Sequence, residues 1–359
     1  MKNRLDNLRL LMASRGITAL WVRQDENRRY LSGFTGDSGQ LLITTTSQYI
    51  LTDGRFTEQA RLEAPGFEVV DLGNRPREQL AGALFAAGVT ELYFEAEHLS
   101  YAAYEEFLKQ ARDWPRPVDL KPVKGLVEQL RQVKDEGEIR LLQKAIDLAD
   151  AGFHHLLRIL RPGIRERDIA LELEYFLGKQ GSSGPSFTTI IAGGPRAALP
   201  HGVASGRVLQ PGDLVVMDFG AVYEGYHSDL TRTVALAPVD PEWRRIYNIV
   251  LEAREKAIAA IRPGLTGREA DAVAREHIAA AGYGPYFSHG LGHGVGLAVH
   301  EDPVLSSRGE VKLAAGMVVT VEPGIYLPGR GGIRIEDIVL VEEGGARVLS
   351  RAPREFIEL

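Results

Sequence analysis

The sequence predicts two domains of mixed α and β structure: an α/β layered domain over residues 1–125 and an internally duplicated α+β unit over residues 126–359. Three observations carry this reading. Short β-rich runs alternate with helical ones early in the chain, the pattern changes to a connector around Lys121–Lys134, and an echo then runs through the rest.

In the first domain, Leu5, Leu8, Leu11 and Met12 recur at helical spacing, and Gly16 is placed to stop that helix. Strands are predicted at Ile17–Val22, Leu41–Thr45, Tyr49–Thr52, Phe67–Val70 and Glu91–Phe94, with a helix near Pro76–Ala87. Asp25–Tyr30 is a polar cluster without histidine, and no catalytic constellation occurs in this domain. Beyond the connector, Asp135 is placed to cap a long helix whose apolar stripe is Ile139, Leu142, Ala145, Ile146, Ala149 and Phe153.

The echo defines the second domain. Arg161-Pro162-Gly163-Ile164 recurs as Arg262-Pro263-Gly264-Leu265, and the following helices align without a gap to Gly181 and Gly282. Pro211-Gly212-Asp213-Leu214-Val215-Val216-Met217-Asp218 is answered by Ala315-Gly316-Met317-Val318-Val319-Thr320-Val321-Glu322. A helix and then a strand ending in a carboxylate thus occur twice, as expected of two halves packed about a pseudo-two-fold axis.

Composition narrows the function. The 359 residues are 44% hydrophobic and 25% charged, as in ordinary globular proteins, with a net charge of -6 that advertises no nucleic-acid surface. Cysteine is absent, which removes disulfides, thiolate metal sites and a Cys nucleophile and fits a reducing compartment. No run approaches the roughly 18 apolar residues of a membrane span, and the N-terminus lacks a secretory apolar core. The expectation is a soluble, cytoplasmic protein with no membrane or nucleic-acid partner.

Each repeat ends in a hairpin with two acids. Asp218 and Asp229 flank Tyr223-Glu224-Gly225, while Glu322 and Glu336 flank Pro328-Gly329-Arg330-Gly331-Gly332. A turn centred on either cluster sets its two acids nearly opposite one another, on one sheet face. The neighbours are strongly apolar, so these faces are expected to be buried. Two unit charges roughly 4 Å apart repel by about 4 kcal/mol at an effective dielectric near 20. Protonation or cations must relieve this, and two divalent ions would neutralise four carboxylates. Each acid alone reads as an ordinary strand-end residue; four in two matched hairpins favour a metal site.

Histidine points the same way. Ser288–Glu301 places His289, His293 and His300 among glycines, and His201 lies in a loop ahead of the first acid hairpin. His154, His155, His227 and His277 are assigned to surface or packing. The glycines at every second position from Gly290 to Gly296 do not form a dinucleotide fingerprint, and no P-loop, H-E-x-x-H or G-x-S-x-G occurs.

The set Asp218, Asp229, His293, Glu322 and Glu336, in that order and spacing, resembles the five metal ligands of the pita-bread metallopeptidases, the group that includes methionine aminopeptidase, aminopeptidase P and prolidase. The resemblance covers essentially the whole chain. Residues 1–125 resemble the N-terminal domain shared by creatinase, prolidase and aminopeptidase P through Tyr30-Leu31-Ser32-Gly33-Phe34-Thr35-Gly36 and Thr52-Asp53-Gly54-Arg55-Phe56. Creatinase lacks the metal ligands. Methionine aminopeptidases usually lack the N-terminal domain and lack an arginine like Arg334, which shares a strand face with Glu336 and can hold or orient an acid.

The resemblance implies an exopeptidase for the Xaa-Pro bond, acting on small peptides with proline second. The compact length leans to dipeptides (prolidase), with aminopeptidase P on longer peptides as the alternative. A methionine aminopeptidase and a non-catalytic binding module of the same fold stand behind these. It further implies two divalent ions, Mn2+ foremost, with Co2+, Zn2+ or Fe2+ also suited to such donors. Glu322 is expected to serve as ligand and proton shuttle, and His300 and His201 to steady the tetrahedral intermediate. His201, His300, Arg334 and His289 are expected at the substrate, and a homodimer is expected.

Overall fold

A computed structural model describes residues 2–359 and divides the chain into two compact units, 1–131 and 132–359. Among the described residues, no helix is long and apolar enough to cross a membrane.

The first unit runs α1 (Lys2–Ser14), β1 (Ala19–Val22), α2 (Asp25–Ser32), β2 (Gln40–Thr44), β3 (Gln48–Thr52), α3 (Thr57–Glu63), β4 (Glu68–Asp71), α4 (Pro76–Ala86), β5 (Glu91–Glu95), α5 (Tyr101–Ala111), β6 (Asp119–Val123) and α6 (Leu126–Arg131). Its mixed sheet has the order β4-β3-β2-β1-β5-β6. The alternation predicted from sequence is present, and Gly16 ends α1 at φ 68°. Five elements escape the periodicity reading. Helix α2 buries Asn27 and Arg28 as well as Leu31, so its inward face does not look apolar. Its N-terminus is capped from a distant strand, where Glu95 accepts from the backbone N–H of Arg23 (2.6 Å) and Gln24 (2.8 Å). Helix α3 buries Ala60 alone and α5 buries Phe107 alone, edge strand β6 runs into the segment read as connector, and α6 lies within that segment.

The second unit repeats its order of elements, with two further strands, Glu301–Leu305 and Gly345–Val348, in the second half. The first half holds α7 (Glu136–Ile159), α8 (Glu166–Lys179), β7 (Ile190–Gly193), β8 (Leu214–Phe219), β9 (Val222–Tyr223), β10 (Tyr226–His227) and β11 (Leu230–Ala235). The second holds α9 (Pro241–Ala260), α10 (Gly267–Ala280), β12 (Gly292–Gly294), β13 (Glu301–Leu305), β14 (Val318–Val321), β15 (Gly324–Leu327), β16 (Gly331–Arg334), β17 (Asp337–Glu342) and β18 (Gly345–Val348). The matched glycines explain why the sequence echo survives. Gly163 and Gly264 sit at φ 91° and 90°, and each donates its N–H to the matching carbonyl, Leu209 at 2.9 Å and Leu313 at 2.8 Å. A side chain strains such a backbone, so glycine is retained at both.

Asp135 caps α7 as expected, in a reciprocal box with Glu138. Leu142, Ala145, Ile146, Ala149 and Phe153 are buried along the predicted stripe. The strands form sheets β11-β8-β7 and β13-β12-β14-β17-β18, with the two-stranded hairpins β9/β10 and β15/β16 inserted at equivalent places. One apolar core lies around α7, α8 and the first sheet, and a second around α9, α10 and the other sheet.

Deep in this unit, Asp337 is fully buried among three guanidinium groups. Arg232 from β11 reaches it at 2.9 Å, Arg354 from the C-terminal segment at 2.8 Å, and Arg254 from α9 also pairs with it. The carboxylate ties both halves and the chain end together just beside Glu336. Removing one partner of a buried pair leaves unpaired charge and costs about 3–5 kcal/mol. Asp337→Ala is therefore expected to lower unfolding free energy by that amount in urea titrations; a loss below about 1 kcal/mol would contradict this account.

Candidate metal centre

The two inserted hairpins bring the acids together. In the first half, β8 pairs with β11 so that Asp218 faces Thr231, and Asp229 lies two residues earlier, immediately before β11. The two aspartates are thus diagonal rather than directly opposed, because β9/β10 takes up the residues between them. In the second half, Val321 pairs with Asp337, and Glu322 and Glu336 lie one step beyond that pair. Here the opposed arrangement expected from the sequence is close to what forms.

His293 comes from β12, at a register shift between His293 and Gly294. Its Nδ1 lies 3.0 Å from the Gly294 carbonyl oxygen, which directs Nε2 to the acids. Nε2 is 3.4 Å from Glu322 and 3.6 Å from Asp229. One donor atom each from Asp218, Asp229 and Glu336 falls within 4.8 Å of the others, and the same holds for Asp229, His293 and His300. Asp229 belongs to both groups.

These charges are barely accessible to water. Burial pushes Asp229 and Glu336 well above the ordinary carboxylate range, and the neighbouring carboxylates push further. Burial also raises Asp218, against the opposing pull of Arg334. Glu322 goes the other way: burial would raise it, but the adjacent His293 imidazolium outweighs that and holds it down at about 2. His293 is correspondingly pushed up to about 9, its Glu322 hydrogen bond overcoming burial.

Arg334 organises the near side. Its guanidinium pairs with Asp218 and donates to Tyr326 Oη at 2.7 Å, Thr231 Oγ1 at 3.0 Å and the Pro200 carbonyl at 3.2 Å. Thr231 donates in turn to Glu336 Oε2 at 2.7 Å. His289 Nε2 stands 2.8 Å from Tyr326 Oη, while its Nδ1 faces the Gly290 carbonyl at 2.7 Å. Burial lowers the His289 pKa, so the ring is neutral and accepts from Tyr326. Thr231 and Tyr326 are site residues that the sequence reading missed. Thr231 could have been found two places after Asp229 on one strand face; Tyr326 carries no comparable mark.

The cleft in front has a volume of about 480 Å³. Asp218, Asp229, His293, Glu322, Arg334, His289, His201 and His300 all line it, with Phe187, Ile190 and Val203 as apolar wall. His201 and His300 are exposed at its mouth, the His300 ring 4.3 Å from that of His293. Glu336 is buried behind the lining.

A test of the donor set is whether it is satisfied by protein alone. Asp218 Oδ1 and Glu336 Oε1 are buried and have no hydrogen-bond partner. Four carboxylates, one imidazole and two unsatisfied oxygens fit a pair of divalent cations that favour oxygen donors.

Comparison with known proteins agrees with this chemistry. Residues 140–343 match the model of metallopeptidase family M24, and residues 4–133 that of the creatinase/prolidase N-terminal domain. An Xaa-Pro dipeptidase of Pyrococcus furiosus is 38% identical over 99% of this chain and 100% of its own length. The solved Xaa-Pro dipeptidase from Bacillus anthracis superposes with a TM-score of 0.96 at 43% identity, covering 100% of this chain and 99% of that one. An X-Pro aminopeptidase from Thermotoga maritima gives 0.88 at 39% identity, covering 96% and 98%.

The raised acids make a pH prediction for chelated protein. An acid whose pKa is raised on folding binds its proton more tightly in the folded state, so stability falls as pH climbs from the unfolded value through the folded one. His293 adds to this, since its contribution is complete below about 6.5 and lost as pH rises toward about 9. After EDTA treatment, Tm is expected to fall steadily between pH 6 and 9, and adding Mn2+ is expected to flatten the profile. A chelated protein whose Tm rises across that window would contradict the assignment of buried, mutually repelling acids.

Proposed function

We propose that this chain, which belongs to metallopeptidase family M24, hydrolyses the Xaa-Pro bond of dipeptides, using two divalent cations held between its repeats. The observation that carries the reading is the convergence of Asp218, Asp229, His293 and Glu322 on one cleft, with Glu336 buried just behind it and Asp229 common to both clusters of donor atoms. The full-length likeness to Xaa-Pro dipeptidases supports the substrate. Mn2+ is the proposed metal, from a donor set dominated by oxygen. A homodimer in the cytoplasm belongs to the same proposal, supported by the family resemblance and the cysteine-free composition.

The five ligands hold the cations, which supply Lewis-acid chemistry when bound, acidifying water and polarising a carbonyl. Glu322 reaches the cleft from the end of β14, 3.4 Å from His293 Nε2, and is placed to take a proton from the attacking water. The same carboxyl then delivers that proton to the proline nitrogen as the bond breaks. Proline's nitrogen carries no N–H, so a site for this bond must recognise the ring and the carbonyl instead. His201 and His300, at the mouth, steady the developing oxyanion. Arg334 holds Asp218 in place from behind, and neutral His289 supports Arg334 through Tyr326.

One observation favours longer Xaa-Pro peptides as a second reading. Arg334 is the single Lys or Arg lining the cleft among the described residues, and its guanidinium is committed to four partners. The terminal carboxylate of a dipeptide therefore meets imidazoles rather than an unengaged cation. Parallel assays of Ala-Pro and Ala-Pro-Ala with Mn2+-loaded protein separate the readings, the first being expected to show the higher kcat/KM. Hydrolysis of neither would overturn both. Asp229→Ala is expected to lower kcat/KM at least about a thousandfold and to deplete bound metal, measured by elemental analysis. Normal turnover with full metal content would remove Asp229 from the ligand set.

A further inference from the structure

We propose that the buried ion pair between Lys134 and Glu301 is a positioning device that sets His300 over the cleft; the inference rests on the reading that His300 acts on the reacting carbonyl. Lys134 precedes α7, and its side chain is 1% exposed. Its Nζ donates to Glu301 Oε1 at 2.6 Å and to the Gln132 carbonyl at 3.3 Å. Glu301, 9% exposed at its side chain, begins β13 and immediately follows His300.

The segment between the two histidines is folded around that carboxylate. Gly294 pairs with Glu301 across β12 and β13, so the chain leaves His293 and returns within a few residues. At the bend, Gly296 donates to the Ala298 carbonyl at 3.0 Å and accepts from His227 N–H at 2.8 Å. A Cβ on Gly296 would meet the Glu301 carboxylate where it now sits, so glycine leaves the acid its place inside the loop. The carboxylate thus fills the loop's interior, and Lys134 supplies the countercharge from outside it.

The anchor is itself fixed to the strand that delivers the proton shuttle. Lys134 N–H donates to the Gly316 carbonyl at 2.9 Å, and Val133 bridges to Met317, just before β14 runs on to Glu322. The pair therefore ties the loop carrying His300 to the strand carrying Glu322. Stability alone does not account for it, since well-packed apolar residues in place of a buried ion pair are often neutral or stabilising. Two opposite charges in a dry site do fix a geometry. His300 is exposed at the end of this loop, its ring 4.3 Å from that of His293, so the loop's placement decides how the ring stands over the cleft. A misplacement of about 1 Å in such a group costs as much as a hundredfold in rate.

Lys134→Met in the metal-loaded, full-length protein tests this, with Lys134→Met/Glu301→Gln as the charge-neutral companion. Both are expected to lower kcat on Ala-Pro about ten- to a hundredfold while KM stays within about threefold. In a His300→Ala background, Lys134→Met is expected to add no further loss. Lys134→Arg, which keeps the charge, is expected to restore most of the rate. Amide exchange across residues 294–301 is expected to rise at least about tenfold in both variants, a readout that does not depend on turnover. Unchanged kcat, losses that multiply with His300→Ala, or unaltered exchange would each overturn the inference. Failure of both variants to fold would overturn it too, since the pair would then be a folding element. A wild-type chain that cleaves no Xaa-Pro peptide would instead sink the function, with the exchange measurement still reading the loop.

Discussion

The constraint that governs the catalytic unit is the confinement of four carboxylates away from water. Asp218, Asp229 and Glu336 are buried, and Glu322 reaches the same floor from the end of its strand. The protein's own positive charges answer only part of this. Arg334 neutralises Asp218, His293 pairs with Glu322, and the remaining repulsion falls on Asp229 and Glu336, whose pKa values rise. Such a site is a poor hydrophobic core and a poor salt bridge. It makes physical sense as a receptor for cations, which turn mutual repulsion into the binding energy itself.

Duplication is what makes the confinement geometrically possible. A single hairpin can offer two acids from the edge of one sheet, but each half here inserts a small second hairpin, β9/β10 or β15/β16, between its acid-bearing strands. The insertion ends the ladder next to the acids, one pair past Asp218 in the first half and one residue short of Glu322 and Glu336 in the second. Cross-links then hold the halves in register. Thr231 of the first half donates to Glu336 of the second, and Arg334 of the second pairs with Asp218 of the first. Behind them the Arg232–Asp337 pair repeats the exchange, so that each half finishes the other's electrostatics.

Much of this was legible in the sequence because it depends on residues with few substitutes. The Arg-Pro-Gly echo marks Gly163 and Gly264, which occupy backbone conformations that other residues strain, and the four acids stand at matched places in the two halves. Asp135 announced its helix by capping chemistry alone. What could not be read was anything whose partner is remote. Helix α2 depends on Glu95, about seventy positions away in the chain, and its buried face is polar. Tyr326 matters through Arg334 on the paired strand of its own hairpin and through His289, 37 residues away, and a tyrosine in an apolar run does not disclose either contact. The diagonal offset of Asp218 and Asp229 likewise depends on how many residues the β9/β10 hairpin consumes, which alternation of apolar residues does not encode.

The three histidines outside the ligand set raise a different problem, because they stand on loops, and loops hold position poorly. Each of these loops is tied by a buried acid and its basic partner. Glu166, at the start of α8, takes Gly193 N–H, Ser205 and Arg196, closing the loop that carries His201. Asp271 on α10 takes the Leu291 N–H and pairs with Arg275, which itself donates to the carbonyls of Phe287 and His289. Glu301 and Lys134 do the same for His300. In all three cases a charge planted at or beside a regular element organises backbone that no sheet supports. The metal floor is thus rigid because strands build it, and the histidine wall acquires comparable definition through charge. A site that must orient a bond without an N–H handle needs both, since the floor alone can attract any peptide carbonyl while the wall decides which one lies in reach.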